Sequence, residues 1–158
     1  MLRFSSLQEL VDTIAGATEP IVVTSDWLML DQDRVSAFAD ATDDHQWIHL
    51  DLGRAAQGPF GGTIVHGHLV LSLLPALSSR MLDVAGVAMG INYGLNAVRF
   101  LTPVPVGSRV RAVTRLVSAE PASGGVRLNA HVTMELEGSQ KPAMVAEAIS
   151  LYILPTPT

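Results

Sequence analysis

Three carboxylates and two imidazoles fall within the stretch from Ala41 to Asp51: Asp43, Asp44, Asp51, His45 and His49, with Trp47 and Ile48 among them. Charged groups are costly in apolar company unless paired, and acid–base groups with shifted proton affinities gather at functional sites. The chemistry that carboxylate and imidazole perform together is proton transfer. Farther along, Ile64-Val65-His66-Gly67 opens an apolar run from Leu69 to Leu82 that reads as a helix. The first N–H groups of a helix have no partner inside it and carry partial positive charge, which suits a developing oxyanion. An acid–base pair facing such a helix start would be a proton-transfer site.

Each of these residues also has a plainer use. Spacing alone fits Asp44 as a turn cap and His49 as a histidine satisfied in the core. Asp43 and His45 read as solvated loop residues, and Asp51 as the cap of a short helix at Leu52. Gly67 serves equally as a tight entry to its helix. Other chemistries are excluded more firmly. Gly62 to Gly67 copies the spacing of a phosphate loop, but His68 and Leu69 stand where Lys and Ser or Thr are required. His66 and His68 lie two apart on a helix start, where side chains diverge, so no metal site is expected. No Gly-x-Ser-x-Gly turn offers a serine nucleophile.

The elements that must position these groups follow from periodicity. Ser6 caps a first helix whose Leu7, Leu10, Val11 and Ile14 recur at helical spacing, with Glu9 three residues after the cap and Gly16 and Pro20 at the end. Ile21 to Val23 start a strand that runs on to Leu28. Asp31 caps a second helix with Val35, Phe38 and Ala39 inward, and its end delivers Asp44 into a loop. One or two helical turns over Leu52 to Gln57 precede a loop at Gly58 to Gly62. From Gly67 to about Leu82 the pattern is apolar nearly all round, which predicts a helix buried on every side, kinked near Leu71 by Pro75. After Gly86 the period changes to two. Arg109, Arg111 and Arg115 alternate with Val110, Ala112, Thr114 and Leu116, and Val126 to Leu136 alternates without a break. Pro121 to Gly125 and Gly138 to Gln140 read as turns, and Ala143 to Leu154 as a last strand. The fold class is α+β: an antiparallel sheet wrapped around a long central helix, with an added N-terminal helical segment.

Composition bounds the rest. A chain of 158 residues with no internal repeat suits one domain over residues 1–158 and excludes a tandem pair. A net charge of −5 argues against nucleic acid as the main partner. No cysteine is present, so disulfides, thiolate nucleophiles and thiolate metal sites are excluded, and a cytoplasmic protein fits. Glu9 and Asp12 stand where the apolar core of a signal peptide would run, and Pro75 and Ser78-Ser79-Arg80 cut the longest apolar run short of a membrane span. A mean hydropathy of +0.33 is high for a small domain and suggests an apolar interface between subunits.

Phe38 to Thr42, Asp44, His49 and then Ile64-Val65-His66-Gly67 resemble the MaoC-like dehydratases, whose signature is an Asp, a His five residues on, and a His-Gly pair before the central helix. Asp44 fits that spacing to His49 and Asp43 does not. Ile91 to Asn96 and Pro103 to Ser108 look like the single-domain NodN-like branch. The chain departs from many members at Gln46 and Trp47, where they carry Asn-Pro. The resemblance implies a hot-dog fold and (R)-specific hydration of trans-2-enoyl-CoA to (R)-3-hydroxyacyl-CoA, a reversible hydro-lyase reaction. It implies no metal or redox cofactor, coenzyme A entering only as part of the acyl-CoA substrate, and a homodimer. Asp44 and His49 would be the proton relay and Gly67 the oxyanion donor. Gln46, Trp47, Phe60, His66 and Arg99 are placed on the substrate's side. The alternatives are a hot-dog acyl-CoA thioesterase and a non-catalytic acyl-CoA-binding module.

Overall fold

The alternation along Val126 to Leu136 has a direct structural result: Val126, Leu128, Ala130, Val132, Met134 and Leu136 are all buried, so one face of that strand is the floor of the core. The computed structural model describes residues 1–156. In chain order the elements are β1 (Leu2–Phe4), α1 (Leu7–Gly16), β2 (Ile21–Thr24), β3 (Leu28–Met29), α2 (Gln32–Thr42), α3 (Trp47–Leu50), α4 (Leu52–Ala56), α5 (Gly67–Ser72), α6 (Leu74–Ser78), β4 (Leu82–Val84), β5 (Met89–Phe100), β6 (Arg109–Ala122), β7 (Gly125–Leu136) and β8 (Met144–Ile153).

The main sheet is antiparallel throughout, in the order β2-β6-β7-β8-β5, with β3 also paired to β6. Leu69, Val70, Leu73, Leu74 and Leu77 of the central helical segment pack in one cluster with Val110, Ala112, Val132, Met134, Met144 and Ala146 of the sheet. This is the hot-dog arrangement. The N-terminal segment forms a second cluster, with Phe4, Leu7 and Leu10 set against Leu116, Val126 and Leu128. Ser6 caps α1 as its spacing requires, its hydroxyl accepting from the Glu9 N–H at 3.1 Å.

Three details differ from the sequence reading. The central helix is not one rod to Leu82 but two short helices that meet at Leu73, followed by β4. Pro75 has no N–H to give the Leu71 carbonyl, so the ladder fails one turn before the ring, and the Leu73 N–H reaches Val70 instead at 3.4 Å. The strand expected from Ile21 to Leu28 stops at Thr24, because Ser25 turns its hydroxyl onto the Ala112 N–H at 3.0 Å. The turn expected from Pro121 narrows to Ser123-Gly124, with β6 running on to Ala122 and Gly124 supplying the positive φ of 77°.

β1 and β4 form a separate parallel pair that the sequence reading lacked, Leu2 lying opposite Leu82. β5 lies at an edge of the main sheet. It pairs with β8 on one side through two irregularities, at Asn92/Gly94 and Leu95/Ala97. Among the described residues no strand covers its other side, and Met89, Ile91, Tyr93 and Leu95 are exposed along it.

Candidate active site

α2 ends where it must turn sharply. Thr42 folds its hydroxyl back on the Phe38 carbonyl at 2.7 Å, and Asp43 takes the left-handed conformation at φ 58°. Short polar residues adopt that conformation at helix ends more readily than bulky ones. The next residue, Asp44, is thereby carried out of the helix into the loop before α3. In α3, the His49 N–H bonds the Gln46 carbonyl at 3.0 Å, and the His49 side chain enters the core with 7% exposure.

The Ile64–Gly67 segment meets it there. The Ile64 N–H bonds the Ile48 carbonyl at 3.0 Å, and the Val65 N–H bonds the Val104 carbonyl at 2.8 Å. The His49 Nδ1 donates to the Ile64 carbonyl at 2.6 Å. A carbonyl can only accept, so Nδ1 carries the hydrogen and Nε2 of the neutral ring keeps its lone pair. Burial pushes the His49 pKa below the usual 6.5, with the charge of His66 adding and the Ile64 carbonyl and Asp44 opposing. The ring of His66 stacks on that of His49 with centroids 3.7 Å apart and planes 26° from parallel.

One polar side-chain atom from each of Asp44, His49 and His66 lies within 4.8 Å of the others. Two hydrogen bonds of about 2.8 Å that meet at one water can span a gap of that size. A shared metal ion fits less well. The lone pairs of two stacked rings run side by side instead of converging, and Nδ1 of His49 and Nε2 of His66 already face carbonyl oxygens. These groups line a cleft of about 370 Å³ together with Gly67, Phe100 and Thr102. A Cβ on Gly67 would lie 3.0 Å from the Phe100 ring, so the bare backbone there is what leaves the helix start open.

The structure thus brings Asp44, His49, His66 and Gly67 to one place and sets other candidates apart. Gln46 is exposed, with its carbonyl capping α3. Trp47 lies under the Arg54 guanidinium, 4.3 Å from its ring centroid, and against Gly58. Phe60 stands 45% exposed in its loop, and Arg99 donates to the Val98 carbonyl on β5. None of these four lines the cleft. His45 pairs with Asp40 at 2.9 Å on the surface, which raises its pKa, and Asp51 caps α4 by accepting from the Arg54 N–H. Arg109 and Arg111 pair with Glu137 and Glu135 along the wet face of the sheet.

Two neighbours of the site went unnoticed in the sequence. Gln32 donates to the His49 carbonyl at 2.8 Å and accepts from the Thr63 hydroxyl at 2.9 Å, tying α2, α3 and the Ile64 segment together. Thr102 brings a buried hydroxyl with no partner among the described residues. No local pattern marks either one, although Pro103 signals that the chain turns there.

A second cavity, of about 310 Å³, lies between α5–α6 and the sheet, where Leu71, Leu74, Pro75 and Ser78 face Leu128, Ala130 and Ile149. It contains no ionisable side chain except Tyr152.

The model of the MaoC like domain family matches residues 13–138. The chain belongs to the MaoC-like dehydratase family. It is 54% identical over 146 residues to 3-hydroxyacyl-thioester dehydratase Z of Mycobacterium tuberculosis, covering 92% of this chain and 97% of that one. It is 46% identical over 132 residues to nodulation protein N of Rhizobium leguminosarum bv. viciae, covering 80% and 81%. Among solved structures, the (R)-hydratase from A. caviae involved in PHA biosynthesis superposes with a TM-score of 0.70 at 25% identity, over 89% of this chain and 98% of the hydratase. With the family goes the reaction class: the chain is a hydro-lyase. Among the described residues no helix is long and apolar enough to cross a membrane.

Proposed function

We propose that this MaoC-like protein adds water reversibly across the double bond of a trans-2-enoyl-CoA to give the (R)-3-hydroxyacyl-CoA. The observation that carries the reading is the Asp44 side chain within 4.8 Å of a ring nitrogen of buried His49, whose Nδ1–H is committed to Ile64 and whose Nε2 keeps its lone pair. A water held between them has both its hydrogens directed at acceptors and its oxygen lone pair free for C3. As the oxygen bonds to C3, the C2–C3 π electrons move onto the thioester, and the water gives its proton to the Asp44–His49 pair. That proton is then delivered to C2, so hydrogen and hydroxyl are both accounted for and no cofactor is needed. General acid–base help of this kind contributes typically about 10²–10⁴-fold. As the first residue of α5, Gly67 has no intrahelical acceptor for its N–H, which serves the enolate oxygen and is worth roughly 10²–10³-fold. The acyl chain takes the apolar cavity beneath α6, away from the charges.

The mycobacterial relative's name specifies a 3-hydroxyacyl thioester, and the A. caviae structure is an (R)-hydratase, both in keeping with this reading. A second copy of the chain suits the exposed edge of β5, where apolar side chains and unpaired backbone stand ready for strand pairing. The zero cysteine content fits a cytoplasmic protein.

The test is incubation with crotonyl-CoA and a longer enoyl-CoA, following the enoyl absorbance, free thiol and product configuration. Asp44→Asn and His49→Gln should each lower kcat by at least about 10²-fold while keeping the fold, and Asp43→Asn should stay near the parent. Release of free thiol without a 3-hydroxy product would mean a thioesterase. An inactive Asp43→Asn beside an active Asp44→Asn would overturn the assignment of the acid–base pair.

A further inference from the structure

We infer that His66 is a positioning residue of the proton relay, aiming Asp44 and His49 without touching the substrate; this rests on the reading of those two as the acid–base pair. His66 is 2% exposed and lies between two partners. Its Nε2 is 3.0 Å from the Asp44 carbonyl oxygen, and its ring lies flat on that of His49. Since the carbonyl accepts, Nε2 bears the hydrogen, and the ring's Nδ1 is buried with no partner among the described residues.

Asp44 has little else to hold it. It follows a left-handed residue in a loop, its side chain is half exposed, and among the described residues the His66 contact is the one hydrogen bond it makes. Fixing the carbonyl fixes the peptide plane and with it the direction of the Asp44 side chain. The carboxylate then lies 4.0 Å from the same Nε2 and within 4.8 Å of a His49 ring nitrogen. His49 is held from two sides, its Nδ1 by the Ile64 carbonyl and its face by His66. The Phe38 ring also packs against His66, with centroids 5.1 Å apart and planes tilted by 55°.

Three features of Ile64 to Gly67 thus act at one site. The Ile64 carbonyl sets the His49 tautomer, the His66 ring sets both partners' angles, and the Gly67 N–H faces the oxygen that gains charge. A misplacement of about 1 Å in such a constellation costs on the order of 10²-fold in rate.

Two variants separate the donor from the stack. His66→Phe keeps an aromatic face on His49 and removes the hydrogen bond to Asp44. His66→Gln keeps a donor at the place of Nε2 and removes the stacked ring. His66→Phe should lower kcat by about 10- to 100-fold with KM within about threefold of the parent. His66→Gln should recover part of that loss, and the acid limb of its kcat/KM profile should move up toward 6.5 as water reaches the His49 face. A thermal melt of each variant confirms the fold. Nitrogen-15 spectra of the unmodified protein need no variant and should show His66 protonated at Nε2. A raised KM with unchanged kcat would make His66 a substrate contact and overturn the inference. So would parent-like kinetics and pH profiles in both variants, or a hydrogen found on Nδ1. Asp44→Asn and His49→Gln run alongside: if they retain full activity the acid–base reading itself falls, and the inference with it. If they are inactive while His66→Phe matches the parent, only the inference falls.

Discussion

The two cavities that flank the central helical segment are nearly equal in size and opposite in kind. The cleft at the start of α5 is lined by Asp44, His49 and His66, with the two rings stacked and hydrogen-bonded to the Ile64 and Asp44 carbonyls. The cavity beneath α6 is lined mostly by apolar residues, and its Thr114 hydroxyl has no partner among the described residues. A single break, at Leu73, separates the two. On the proposed function, reaction and recognition make different demands on neighbouring turns of one segment. The first needs positions held to a fraction of an ångström. The second needs only space from which water is excluded.

The sharpest way to break that contrast is to disturb the polar end alone. Gly67→Pro removes the N–H, and Gly67→Ala places a methyl 3.0 Å from the Phe100 ring. Expected are a loss in kcat of about 10²–10³-fold for Pro and a smaller loss for Ala, with helix content unchanged by circular dichroism. Hydration by a well-folded Gly67→Pro at the parent rate would move the oxyanion donor elsewhere.

The apolar end should respond with selectivity instead of rate. Ser78→Leu fills space under α6, so turnover of crotonyl-CoA should hold within about twofold while kcat/KM for a long-chain enoyl-CoA falls at least about tenfold. Each excluded methylene is worth about 0.8 kcal/mol, roughly a factor of four. Equal losses on short and long substrates would show that the chain does not enter this cavity.

The smallest effect is a difference in proton linkage. His49 has a lowered pKa in the folded chain, so between that value and 6.5 the unfolded chain binds more protons. Its contribution to stability is fully present above pH 6.5 and is lost as pH falls through that window. The melting temperature should drop between pH 7.5 and 5.5, and by less in His49→Gln, since exposed His45, whose raised pKa acts in the opposite direction, is common to both. Tyr152, beside the apolar cavity, has its pKa raised by burial and stays neutral, so Tyr152→Phe should leave this pH dependence unchanged.

Much of this was legible because one face was wet and the other dry. β7 shows its period of two plainly since Arg127, Asn129 and His131 alternate with buried residues. β5 hides its own, because it is an edge with two irregularities and apolar Ile91, Tyr93 and Leu95 all exposed. The three-residue strands β1 and β4 are too short to carry a period. Asp44, His49 and Gly67 stood out through the family resemblance, since spacing alone fits a turn cap, a core histidine and a helix entry equally, and the fold brings them together. Gln32 did not, because its two bonds reach residues 17 and 31 positions away. Trp47 sits close to His49 in sequence, but a helical turn points it at Arg54 instead of the cleft.

The pairing order of the sheet has a consequence for how the chain is made. β6 and β7 are joined by a two-residue turn and β7 and β8 by residues 137–143, whereas Ile21 must find Leu116 and Leu2 must find Leu82. Contacts between distant residues slow folding more than local ones do. A ribosome delivers α5 and α6 before any residue of β6, β7 or β8 exists to cover them. Leu69, Val70, Leu74 and Leu77, buried in the finished protein, therefore wait in water while the strands that will cover them are still being made.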